Sequence, residues 1–186
     1  MRPLVLARYL ATSLTTILTT ILTTILTTIS VAACSRDSHK ESAATAGALQ
    51  SNATVDYVVD GDTVDMTIDG VEERVRLIGI DTPETKKPNT PVQCFGLEAT
   101  AFTQSLLPEG TAVYLERDVE ARDVYGRLLA YAYVAETGAF VNLEVVRGGY
   151  AQPLTIPPNV AHSTEFVDAA RTAEHDNVGL WAACNG

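Results

Sequence analysis

Arg74-Val75-Arg76-Leu77-Ile78-Gly79-Ile80-Asp81-Thr82-Pro83-Glu84 decides how the folded part of this chain is read. Its first half alternates charged and apolar residues, the period of a strand with one face on a core. The run then turns apolar, bends at a glycine and stops at a Thr-Pro turn, because proline has no N–H to give a ladder. Upstream, Asp69-Gly70 is a two-residue hairpin signal, and Val64, Met66 and Ile68 alternate with Thr63, Asp65 and Thr67. Thr63 to Ile68 and Val71 to Ile80 therefore read as neighbouring antiparallel strands, preceded by a β-rich stretch from Thr54 to Val59.

Further along, Gly96 to Leu107 reads as a helix with Leu97, Ala101, Leu106 and Leu107 near one face and Pro108 as its stop. Ala112 to Glu116 and Leu128 to Val134 are two more strands. Phe140 to Val146 is a short helix ended by Gly148-Gly149, and Tyr150 to Val160, with three prolines, is loop. Ser163 to Glu174 is a last helix, with Ser163 or Thr164 as N-cap. The expected fold is α+β, mainly β: a five-stranded OB-type barrel with about three helices.

In front of this unit, no residue from Tyr9 to Ser35 is charged, Arg2 and Arg8 precede the stretch, and Leu14 to Ile29 is four copies of Leu-Thr-Thr-Ile. A four-residue repeat is too short for a supersecondary unit, so it is a membrane-compatible run rather than a fold repeat. Val31-Ala32-Ala33-Cys34 ends it, small residues before a cysteine in the manner of a lipobox. The expectation is an exported protein in which residues 1–33 are a signal segment and Cys34 is lipidated, the product being extracellular or a cell-surface lipoprotein. A retained anchor helix is the alternative, since the run approaches a bilayer span. Residues 34–53, rich in Ser, Ala, Thr and Gly, read as a flexible tether with a reach of roughly 25 Å; a helical lead-in packed on the domain is the competing reading. Residues 54–186 remain as the folded domain.

Cys94 and Cys184 are the two cysteines left in that domain. In an exported protein an even remainder favours a disulfide, and closing a loop of ~90 residues stabilises by roughly 4–5 kcal/mol through chain entropy. Zinc is disfavoured: there is no Cys-x-x-Cys, and His162 and His175 lack ligand spacing.

The formal net charge is −10, and loss of Arg2 and Arg8 with no acid leaves a mature form at −12. Nucleic-acid binders are usually basic, because phosphate contacts release counterions. Seven of the eleven Lys and Arg after Cys34, however, fall between Arg74 and Arg127. A local basic patch on an acidic body attracts a polyanion within a Debye length of about 8–10 Å. Composition thus predicts weak, salt-sensitive binding without excluding it.

Asp60-Gly61-Asp62-Thr63 lies at the turn before the hairpin, and Asp81-Thr82 ends its return strand. Strands joined by a tight turn are neighbours, so Asp62 and Asp81 can converge at one end of a barrel, with the Thr82 carbonyl beside them. Such hard oxygens suit calcium or magnesium. Taken singly, each of these aspartates reads equally as a turn cap. Glu84, just past the turn, is placed to take a proton from a water. Arg76 alternates with core residues and needs either a ligand or a buried carboxylate on its face. Arg127 follows Tyr125-Gly126, where glycine admits a close approach. Planar guanidinium groups fork onto phosphate oxygens, and together these are the parts for phosphodiester hydrolysis.

The stretches Val59-Asp60-Gly61-Asp62-Thr63-Val64, Arg76 to Thr85, Gly96-Leu97-Glu98-Ala99, Asp123 to Tyr131 and Val141-Asn142-Leu143, in this order, resemble the staphylococcal nuclease (thermonuclease) family. The resemblance implies a five-stranded OB-type barrel and a calcium-dependent phosphodiesterase that cuts DNA and RNA with little sequence preference to leave 3′-phosphate ends. It implies Asp62, Asp81 and the Thr82 carbonyl as metal ligands, Glu84 as general base, and Arg76 and Arg127 as phosphate clamps. DNA and RNA are then the substrates, a lipidated Cys34 or an N-terminal anchor is the membrane link, and a monomer is the expected state. One departure stands out. The family's best-known enzyme stacks two tyrosines on the substrate base from the loop after its second helix, whereas Gln152 to Asn159 contains no aromatic ring; Tyr150 and Tyr125 are the nearest substitutes. The alternative is a non-catalytic nucleic-acid-binding module on the same barrel, which would be expected to lack Glu84 or one of the arginines.

Overall fold

The hairpin sets the first register. Asp69 and Gly70 take left-handed φ values of 51° and 80°, a mirror-image turn that an Asp-Gly pair accepts. The computed structural model describes residues 48–86 and 88–184; the signal segment, Cys34 and most of the expected tether lie outside them. In chain order the elements are β1 (Ala53–Asp60), β2 (Thr63–Ile68), β3 (Val71–Leu77), β4 (Gly79–Asp81), α1 (Gly96–Leu106), β5 (Ala112–Glu116), β6 (Leu128–Val134), α2 (Val141–Arg147), β7 (Gln152–Leu154), α3 (Ser163–His175) and α4 (Leu180–Ala183). Strands β1-β2-β3-β6-β5 close into a barrel, and β4 pairs with β7 in a separate two-stranded sheet. The fold is thus the α+β, OB-type barrel read from the sequence, with four helices among the described residues rather than three.

Closure removes the free sheet edges that would otherwise invite pairing with another chain. The pair β3–β6 is parallel, with Arg76 beside Leu129. A parallel neighbour cannot be reached by a tight turn, so the chain crosses over through β4, α1 and β5 between them. Val64 and Met66 on β2 and Val75 and Leu77 on β3 point inward and are fully buried. On β1 the buried pair is Val55 and Val58, an odd spacing, because the ladder shifts register between Val55 and Tyr57. Leu128 to Ala132 are buried without alternation, since the outer face of β6 is covered by α2 and by Phe166 of α3, whose ring lies 6.1 Å from that of Tyr131. No helix among the described residues is long and apolar enough to cross a membrane.

Five details differ from the sequence reading. The strand expected over Val71 to Ile80 breaks at Ile78: Gly79 has φ 81°, and a Cβ there would overlap the Phe166 ring, so β4 swings out of the barrel to meet β7. Part of the proline-rich stretch is therefore strand, with Pro153 opposite Ile80. The inner face of α1 is Gly96, Ala99 and Thr103, continued by Leu107, while Leu97 is 64% exposed. Lastly, α3 begins after His162 with no side-chain cap from Ser163 or Thr164. Ordered pairing also begins just before Thr54: Leu49 donates to Ala135 O at 2.8 Å, and the Asn52 side chain exchanges bonds with the Leu115 backbone.

Two ties fix the elements around the site end. Asn142, fully buried on α2, donates to Ile78 O (2.9 Å) and accepts from Ala132 N (2.9 Å), satisfying backbone groups at the β3–β4 bend and on β6. Asn142→Leu strands both, and unfolding in urea should show a loss of about 2–4 kcal/mol. The second tie is the expected disulfide. Cys94 and Cys184 are bonded with Cα atoms 6.0 Å apart, joining the loop before α1 to the end of α4.

Candidate active site

The β1–β2 turn and the segment after β4 are built as one block. Gly61 is buried, and a Cβ on it would stand 2.7 Å from Thr82 Oγ1, so only glycine lets Thr82 sit against the turn. Asp62 receives both the amide and the hydroxyl of Thr82 on Oδ2 at 3.0 Å, and the Thr63 hydroxyl on Oδ1 at 3.1 Å. Asp60, also buried, accepts from Gly61 N, from both the amide and hydroxyl of Thr85, and from Thr100 on α1. Thr103 closes the block by donating to Gly61 O at 2.6 Å. Asp60 is thus a structural hub, while Asp62 is the carboxylate aimed across to β4.

Arg76 spans that gap. Its Nη2 lies 3.2 Å from Asp62 Oδ2 and 3.2 Å from Asp81 Oδ1, and the same guanidinium donates to Ile80 O and Leu77 O. Its side chain is only 12% exposed. Of the two possibilities open for Arg76, the buried carboxylate partner is what the structure displays. Asp81 is drawn above the ordinary carboxylate range, by partial desolvation first and by the neighbouring Asp62 charge second, with Arg76 opposing. Two carboxylates gathered on one guanidinium, the charge of Asp62 bearing on Asp81, fit a hard cation. No cluster of three His, Cys, Asp or Glu side chains gathers for a metal among the described residues, so two carboxylates and the Thr82 carbonyl would leave the remaining positions to water and substrate oxygens.

Glu84 sits on the segment pinned by Asp60. Its carboxyl bonds to the Asp60 side chain and accepts the Lys86 amide at 2.7 Å. Burial alone would raise the Asp60 pKa, but the bonds from Glu84, Thr85 and Gly61 together bring it below its usual value. Glu84 is therefore tied, through its own carboxyl and through Thr85, to Asp60 at the β1–β2 turn.

Arg127 is placed by a different device. Asp123 Oδ1 accepts the amides of Tyr125 and Arg127, Gly126 takes φ 84°, and the resulting turn feeds directly into β6. The Arg127 Nε is held by Asp123 Oδ2 at 2.7 Å, and its Cζ lies 5.7 Å from the centre of the Tyr125 ring. It stands two residues before Leu129, the neighbour of Arg76 in the parallel ladder. The structure brings Asp62, Asp81, Thr82 and Arg76 into contact with one another and seats Glu84 on the following turn, against Asp60. Arg127 approaches along the adjoining strand, engaged with Asp123 and not with that cluster.

The two candidate stacking rings separate cleanly. Tyr150 is packed between Phe95 and Phe102, with centroids 5.3 and 4.1 Å away, and is structural. Tyr125 is 83% exposed beside Arg127. Sequence reasoning missed Gln93, whose side chain accepts the Glu84 amide at 2.8 Å while its own amide donates to Glu84 O at 2.9 Å. Nothing in the composition around Gln93 signals this; only the fold brings it back to the turn.

A closed five-stranded barrel with Asp62 at the β1–β2 turn, Asp81 at the end of β4 and Arg76 of β3 between them belongs to the OB-type class. Residues 74–183 match the family described as staphylococcal nuclease homologue. Among known proteins, the chain is 42% identical to the thermonuclease of Staphylococcus intermedius over 127 residues, covering 68% of this chain and 74% of that one. It is 34% identical to the thermonuclease of Staphylococcus hyicus over 142 residues (76% and 82%), and 37% identical to endonuclease YncB of Bacillus subtilis over 133 residues (70% and 62%). The chain belongs to the staphylococcal nuclease family.

Proposed function

We propose that this chain is a calcium-dependent phosphodiesterase that hydrolyses DNA and RNA with low sequence specificity, leaving 3′-phosphate ends. The observation that carries the reading is the convergence of Asp62 and Asp81 on a single guanidinium nitrogen, with Glu84 anchored on the segment that follows. The family membership and the thermonuclease and endonuclease names of its relatives support it.

Asp62, Asp81 and the Thr82 carbonyl would hold the cation, and Thr82 already orients Asp62 through two hydrogen bonds. Bound there, calcium supplies positive charge against the phosphate and fixes one of its oxygens. Glu84 takes the proton of the attacking water. The bond that forms is water oxygen to phosphorus, and the bond that breaks is phosphorus to the 5′ oxygen. Arg76 and Arg127 place guanidinium charge where the phosphate oxygens gain negative charge. With Nε committed to Asp123, Arg127 is oriented to offer its two terminal nitrogens as a fork. Export, acylation of Cys34 and a monomeric state complete the proposal; mass spectrometry of the membrane fraction tests the lipid, its absence from Cys34 refuting that part.

Plasmid digestion titrated with calcium and EGTA tests the activity: cleavage should need calcium and cease with chelator, and inactivity across metals and pH would refute the reading. Calcium should also raise the melting temperature, by about 2.7 kcal/mol of added stability at one hundred times its Kd. Because only two carboxylates serve the site, that shift should grow when a nucleotide with two phosphates is added.

A further inference from the structure

We infer that the Cys94–Cys184 disulfide, acting through Gln93, positions the Glu84 carboxylate, so that turnover depends on the oxidation state of this bond. The inference rests on the reading of Glu84 as general base. Among the described residues no helix or strand covers the chain between Asp81 and Gly96, so the backbone of Glu84 has to be held by other means. On one side Thr85 is tied to Asp60. On the other, Glu84 and Gln93 close a reciprocal pair, Glu84 N–H to Gln93 Oε1 at 2.8 Å and Gln93 N–H to Glu84 O at 2.9 Å. Gln93 is exposed, and water competes for both bonds, so such a pair holds a loop only if its own backbone is fixed.

Two neighbours fix it. Gly96 N–H donates to Gln93 O at 3.1 Å, and Gly96 lies so close to the turn that a Cβ would stand 2.9 Å from Pro83 O. The adjacent residue, Cys94, is bonded to Cys184. Cys184 is a firm post: its amide donates to Leu180 O at 2.9 Å, Leu180 donates to Gly149 O at 2.8 Å, and the Gly149 and Gly179 backbones meet so closely that neither position has room for a Cβ. The path from Cys184 to Glu84 is thus one covalent bond, one residue step and two hydrogen bonds. Reduction by a dithiol adds two electrons and two protons, breaks the sulfur–sulfur bond to two thiols and leaves the reagent as a cyclic disulfide. Of the two neighbours that fix Gln93, Gly96 alone then remains, and a misplacement of the base by 1 Å is enough to cost up to about 10²-fold.

The test compares kcat and KM at saturating calcium, well below every variant's melting temperature. Gln93→Ala, which keeps the disulfide, and the double variant Cys94→Ser/Cys184→Ser should each lower kcat by about tenfold or more, with KM within about twofold of the parent. Gln93→Glu, whose carboxylate oxygen can still accept the Glu84 N–H, should keep kcat within a few-fold of the parent, and reoxidation of dithiol-treated parent should restore kcat in full. In a Glu84→Gln background neither change should lower the residual rate further. Normal kcat in Gln93→Ala and in the serine double variant, with only the melting temperature reduced, would overturn the inference. So would a loss of equal size that persists without Glu84. If Glu84→Gln itself keeps full turnover, the general-base reading falls and this inference with it; if Glu84→Gln is inactive and Gln93→Ala is not, only the positioning role falls.

Discussion

Glu84→Gln should lower kcat by about 10²–10⁴-fold while leaving substrate affinity within a few-fold of the parent. The amide keeps the size of the carboxyl and can still accept the Lys86 amide, which now bonds Oε1 at 2.7 Å. It cannot take a proton from water. The neighbourhood sharpens the comparison: Asp60 already receives Gly61, Thr85 and Thr100 donors. The N–H of the substituted side-chain amide can keep the bond that the Glu84 carboxyl makes to Asp60, and the fold should survive. Kinetics on a short DNA substrate, with binding measured in calcium by fluorescence anisotropy, separates the two effects. Full turnover in the variant would mean that the water is activated elsewhere, and the phosphodiesterase mechanism drawn here would have to be abandoned.

The largest loss of stability should come from Gly79→Ala, about 3–5 kcal/mol by denaturant unfolding. Two costs add. The residue is held at φ 81°, where an L side chain is strained by about 1–3 kcal/mol. The new methyl also runs into the edge of Phe166, a fully buried ring of α3, and overpacking of this kind costs about 1–3 kcal/mol. Phe166→Ala alone should cost about 3–5 kcal/mol through the cavity it opens. The pair in combination should cost less than the sum, because removing the ring removes the collision and leaves only the backbone strain. Strict additivity would show that the contact is relieved some other way. Activity should fall alongside stability, since Gly79 is the pivot that turns Ile80 and Asp81 away from the barrel toward β7.

The parts of the fold that were legible in the sequence are those fixed by local chemistry. The Asp69-Gly70 turn, the alternation along β2 and β3, and the stop at Pro83 all depend on neighbours a few residues away. The break at Ile78 was only half legible: Gly79 signalled a bend, but its cause is a ring on α3, far along the chain. The same holds for α1, where Leu97 suited an inner face by composition and was displaced from it by the fit of Ala99 and Thr103 against the turn. β7 was hidden by Pro153 and by the two prolines that follow it; a short edge strand accepts a proline and a central one does not. Among the candidate site residues, Asp62, Asp81, Thr82 and Glu84 were legible as oxygens around two turns, each reading alone as a cap or loop residue until the family resemblance joined them. The partnership of Arg76 with both aspartates was visible only as one of two possibilities, and Gln93 was not visible at all.

The contact between Gly79 and Phe166 also orders events during synthesis. Asp62, Asp81 and Glu84 leave the ribosome early, yet the bend that aims Asp81 has nothing to rest on until α3 has been translated, and the parallel partner of β3 arrives only with β6. A nascent chain in that interval has these carboxylates without the scaffold that would assemble them. On the proposed function, a half-made copy is harmless to the message from which it is being read.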